Sequence, residues 1–88
     1  MELEIAVGNW RDEAGGLRRV RYYLQVEAVD TGNLCCENYG VRVAEDGGDS
    51  VQISGITTSA LRIDELISLL VEHKVGPAAL PDVVADWL

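Results

Sequence analysis

Few residues in this chain have side chains suited to catalysis or metal binding, and their spacing limits what each can do. Its two cysteines stand side by side in "GNLCCENYGV", Gly32 to Val41. A structural zinc site takes four Cys or His ligands, commonly with two residues between the members of each pair. Here no residue separates Cys35 from Cys36, and the single histidine, His73, is far along the chain. A thioredoxin-type pair needs two intervening residues and a helix N-terminus to lower the thiol pKa. On a strand, neighbouring side chains point to opposite faces, which separates the two thiols further. Extending the alternation of Tyr39, Val41 and Val43 backwards puts Cys35 and Glu37 on the inward face. Cys35 then acts as a small apolar filler. Cys36 faces outward, which leaves a thiol-based sensor or enzyme using Cys36 as one functional alternative.

The remaining candidates are weaker. No Ser, Cys or acid is placed in the sequence so as to mark a triad with His73, and its position near a helix end suits a solvated or capping role. Asp64 and Glu65 are helix neighbours, about 100° apart around the axis, and read as a solvated face. "RDEAGG" and "EDGGD" contain glycines, but neither leads from a strand into a helix, and their acids repel phosphate. They read as hairpin turns. No cofactor, metal or catalytic set is indicated, and the chain reads as non-enzymatic.

The arginines Arg18, Arg19, Arg21 and Arg42 are the best argument for a binding face. Arg19, Arg21, Tyr23, Gln25 and Arg42 fall on one side of two strands, the candidate interaction face. Single-stranded RNA readers stack bases on comparable sheet aromatics, so nucleic-acid binding is a second alternative. The charge balance opposes it. The chain has 88 residues and a net charge of −8. Residues 1–43 carry seven acids and five arginines (−2); residues 44–88 carry eight acids, one arginine and one lysine (−6). Such a surface repels nucleic acid and anionic membranes, and cross-strand Arg–acid pairing is the commoner use of such residues.

The elements that position these groups follow from periodicity. "LEIAV" alternates, with Leu3, Ile5 and Val7 expected inward. "LRRVRYYLQVEAV" places Val20, Tyr22, Leu24, Val26 and Ala28 on one face and Arg19, Arg21, Tyr23, Gln25 and Glu27 on the other. A third strand is expected from about Leu34 to Ala44, and a fourth in "SVQISGI", with Val51 and Ile53 inward. From Ala60 to Lys74 the period becomes helical: Ile63, Leu66, Ile67, Leu70 and Val71 form an apolar stripe, with Ser59 as the N-cap. Gly76-Pro77 is expected to break this helix, and "PDVVADWL" to form a second, short one with Pro81 in its first turn. This second helix carries no Lys or Arg, so the pair does not read DNA as a helix-turn-helix would.

Strands first and helices last give an α+β two-layer sandwich. A four-stranded antiparallel meander (1–57) is followed by two helices (58–88) packed on one sheet face, in a single domain of residues 1–88. No apolar run reaches the length of a membrane helix, and no basic leader precedes an apolar segment. A cytoplasmic setting is expected, with a protein partner or self-association through an edge strand.

"YYL" in a long strand, "YGV" in the next, "ITTS" leading into a helix and "HKVGPAALPDVVADWL" at the end resemble an uncharacterised family of small clostridial proteins. That family similarly shows a Tyr-Gly-Val strand, a "KV-x-P" turn and a closing "L-x-DV" helix. The resemblance covers roughly residues 20–88. It implies the same element order and a bacterial, cytoplasmic origin, and it supplies no catalytic residue and no cysteine pair.

Overall fold

The computed structural model describes residues 1–30, 32 and 35–88. Four strands, β1 (Glu2–Arg11), β2 (Leu17–Asp30), β3 (Cys35–Glu45) and β4 (Ser50–Thr57), precede helix α1 (Ala60–Glu72), a 3-10 turn (Pro77–Ala79) and helix α2 (Leu80–Trp87). The strands pair antiparallel in the order β1-β2-β3-β4, as the short connections between them imply. The helices cover one face, so the fold is the expected α+β arrangement.

Val20, Tyr22, Val41 and Val43 form the buried sheet side of the core. Ile63, Leu66, Ile67 and Leu70 bring the apolar stripe of α1 onto them, and Val75, Leu80 and Val84 complete the core. Ser59 caps α1 as its sequence position suggests: its hydroxyl accepts from the Arg62 amide at 3.3 Å. The buried Tyr22 hydroxyl donates to the Val75 carbonyl at 2.9 Å, tying the chain beyond α1 to the sheet.

The stop of α1 lies earlier than Gly76-Pro77. The Val75 amide donates to Leu70 O at 3.0 Å and the Lys74 amide to Val71 O at 3.3 Å. Lys74 adopts φ 53°. This is a Schellman ending with lysine at the left-handed position that glycine usually takes. Buried Val75 and Leu70 supply its apolar contact.

Strand β1 departs from simple alternation. Glu4 lies opposite Tyr23 and Ala6 opposite Tyr22, so Ile5 is an extra residue in a β-bulge. One inserted residue flips the strand's later side chains to the other face. Leu3 stays on the helix side opposite Leu24, but beyond the bulge Ala6, Gly8 and Trp10 face the helices. Val7 faces away, opposite Arg21. Of the expected inward set, Leu3 keeps its side, while Ile5 is corrected to the bulge and Val7 to the open face, and Trp10 is the large β1 residue against the core.

The molecule measures 54 × 23 × 17 Å. Fourteen residues of β2 span about 45 Å, whereas the thirteen of α1 span about 20 Å. The β2–β3 ribbon therefore runs well past the helices. This explains why Ala28 and Glu37 are exposed while Val20, Tyr22 and Val43 are buried.

Candidate functional site

Arg19, Arg21, Tyr23 and Gln25 of β2 and Arg42 of β3 lie on the sheet face away from the helices. Register determines what they meet. Arg42 reaches across β2 to Glu2 on β1, donating through Nη2 to Oε1 at 2.7 Å and through Nε to Oε2 at 3.0 Å. The guanidinium lies over the Tyr23 ring, 4.0 Å from its centroid, and Nη1 also donates to Ser50 Oγ at 3.2 Å. The Gln25 amide donates to Glu2 Oε2 at 2.9 Å and to Gln52 Oε1 at 3.1 Å. One polar net thus crosses all four strands.

Arg21 is held between Glu4 on β1, at 2.7 Å, and Asp46 in the β3–β4 turn, at 3.1 Å. Arg19 approaches the same Asp46 at 3.8 Å. Arg18 falls on the opposite face. It forms a two-pronged pair with Glu45, both bonds 2.8 Å, and its guanidinium stands 5.7 Å from the Trp10 ring centroid.

The electrostatics follow from these pairs. Hydrogen bonds from Arg42 and then Gln25 hold the Glu2 carboxyl down to about 2. The Arg18 hydrogen bonds hold Glu45 below the usual carboxylate range. Arg21 is pushed up by its bonds to Glu4 and Asp46, and Arg42 by its bond to Glu2. Arg21 and Arg42 are held by carboxylates of the same molecule and Arg19 approaches one, so the face offers an incoming phosphate reduced positive charge.

The net ends at a depression of about 350 Å³ lined by Met1, Glu2, Gln25, Val26, Glu27, Asn38, Gly40, Gln52, Ser54 and Gly55. Its wall comes from an irregularity in β4. Val41 lies opposite Ile53 and Tyr39 opposite Thr57, so Ser54, Gly55 and Ile56 stand against Gly40 alone. The β4 backbone folds over Gly40 so closely that a Cβ there would sit 2.4 Å from Ile53 O. Gly55 turns the chain at φ 62°, a conformation glycine takes at no steric cost. At the opposite wall, Met1 joins β2 through its carbonyl, which accepts from the Val26 amide at 2.8 Å.

The other sequence candidates are dispersed. Cys36 is a free, exposed thiol opposite Val29. The inward packing expected of Cys35 concerns a side chain outside the described residues. His73 caps the end of α1 and is exposed, as are Asp64 and Glu65. Among the described residues, no group of three or more His, Cys, Asp or Glu is arranged to hold a metal ion. Among the described residues, no helix is long and apolar enough to cross a membrane.

Sequence reasoning missed Glu2, Glu4, Gln52, Ser54 and Gly55 as members of this face. The glycine inside "SVQISGI" was the available signal, since an isolated glycine in a strand marks a bulge. Of the comparisons with known proteins, a family model described as a family of unknown function, DUF6514, matches residues 1–88. No curated protein and no solved structure matches the chain.

Proposed function

Since the chain belongs to this family of unknown function, we propose from its own geometry that it is a small, non-enzymatic protein-interaction module acting in the cytoplasm. The bacterial, clostridial setting implied by the resemblance belongs to the same proposal. The observation that carries it is β1. This ten-residue strand lies at the sheet edge, and its Leu3, Ile5 and Val7 are 45%, 48% and 37% exposed. A long apolar edge offers unpaired main-chain groups and side-chain contacts to another strand. A second copy of the chain is the first occupant to test, because an edge strand pairs readily about a two-fold axis. The spent arginines of the open face fit a role in which that face solubilises the sheet while the edge docks.

Sedimentation from micromolar to millimolar concentration tests this reading, using the wild-type protein and Ile5→Lys. Concentration-dependent dimerisation that Ile5→Lys abolishes, with thermal stability retained, is the expected result. A strict monomer, or a dimer indifferent to Ile5→Lys, overturns β1 as the docking element.

A further inference from the structure

The depression beside Gly40 is more than a gap between side chains. Two backbone features build it: the three-residue excursion of β4 opposite Gly40, and the left-handed Gly55. Bulges that lift one strand off its neighbour recur at sites where a sheet presents groups to a ligand. The depression, about 350 Å³ and open to solvent, is large enough to receive a small group.

The chemistry of its lining is selective. Arg42 is spent on Glu2, Ser50 and the Tyr23 ring, so the nearest guanidinium has little left to offer an anion. Both amide hydrogens of Gln25 are used, toward Glu2 and Gln52, which leaves its carbonyl oxygen as an acceptor. Among the described residues, the Glu27 carboxylate has no ion-pair or hydrogen-bond partner, and neither does the Asn38 amide beside it in register. The lining thus holds one uncompensated carboxylate flanked by amide acceptors, and Met1 and Val26 reach it through their paired backbones. No aromatic ring lines it, so nothing is placed to stack on a base.

Two other depressions offer less. The charges beside Pro77, Arg18 and Glu45, satisfy each other. For the groove at Leu69, Val83 and Trp87, nothing identifies an occupant.

We propose that the open-face cleft binds a primary alkylammonium group, with Glu27 as counter-ion and the Asn38 and Gln25 oxygens as further acceptors. A free diamine and a lysine side chain share this chemistry. Its counter-ion and acceptors lie on β2 and β3 rather than on the β1 edge, so failure of either reading leaves the other standing.

The test is a titration of the full chain followed by amide-resolved NMR, with four probes: putrescine, N-acetyl-lysine amide, 1,4-butanediol and succinate. Putrescine, the lysine amide or both are expected to shift Gln25, Glu27, Asn38, Ser54 and Gly55 as a group. Saturation by putrescine alone assigns a free amine; a tighter lysine amide assigns a side chain. Glu27→Gln should weaken binding about fivefold, the upper range of an exposed ion pair, while Glu65→Gln on α1 leaves it unchanged. Equal shifts with butanediol or succinate overturn the proposal. So do shifts spread over all carboxylates, unchanged affinity in Glu27→Gln, or no saturable shift with either amine.

Discussion

Replacing Gly40 by alanine adds one methyl group and tests how the sheet closes. The new Cβ would lie 2.4 Å from Ile53 O, 2.9 Å from Ser54 Cα and 3.3 Å from Ile53 C. All three are backbone atoms, so no side-chain rotation relieves the contact. The β4 excursion would have to withdraw by about 1 Å to restore ordinary separations. Overpacking of this kind costs about 1–3 kcal/mol. Removing a glycine returns about 0.4–1 kcal/mol through the unfolded chain, because the backbone of Gly40 is not in the left-handed region. The expected net loss is about 1–2 kcal/mol, or about 5–15 °C in Tm for a domain of this size.

Urea unfolding followed by Trp fluorescence reads this directly, with Gly76→Ala as control. Among the described residues, the one close neighbour of an added Cβ at Gly76 is Arg18 Nη2 at 3.4 Å, the far end of a side chain. Gly76→Ala should therefore stay within about 0.5 kcal/mol of wild type. If Gly40→Ala is neutral or stabilising, the β4 backbone does not rest on Gly40 and the described cleft wall is wrong.

Three further expectations follow from single contacts. Lys74→Gly should stabilise the protein by a few tenths to about 1 kcal/mol, because the left-handed conformation costs a side-chain-bearing residue about 1–2 kcal/mol and glycine's larger unfolded entropy offsets part of the gain; a loss in thermal melting would contradict the Schellman ending. Glu2 is depressed in the folded state, so its contribution is present above the ordinary carboxylate value of 4.5 and fades as the pH falls toward about 2. The urea-midpoint difference between wild type and Glu2→Gln should therefore shrink over that window, and an undiminished difference at its acid end would refute the Arg42–Glu2 assignment. Cys36 should react with a thiol reagent in the native protein as fast as in the unfolded chain, since it is exposed; protection in the native state would show that it is covered.

The sequence specified element order because each element carries its own local signal. The alternation of Val20, Tyr22 and Leu24 and the helical spacing of Ile63, Leu66, Ile67 and Leu70 needed no tertiary information, and neither did the Ser59 cap. The interior of β1 was misread for a physical reason: "LEIAV" alternates cleanly, but the strand continues through Trp10, and that aromatic, packed against the core, outweighs Ile5 and Val7 for the inward face. The bulge reconciles the two, and it becomes visible only when β1 is laid against β2.

The candidate face divides the same way. Strand parity alone placed Arg19, Arg21, Tyr23, Gln25 and Arg42 together. Their partners come from Glu2, Glu4, Asp46 and Gln52, residues on other strands or in a turn that register alone brings within reach. A local pattern fixes which side of a strand a residue occupies. It does not fix which residue stands two strands away, because that depends on the bulges in β1 and β4 and on the sheet as a whole. Composition and periodicity thus determined an acidic α+β sandwich with an arginine-bearing face. Only the tertiary structure decided that those arginines are spent on the molecule's own acids, and that Gly40 and Gly55 shape a cleft beside them.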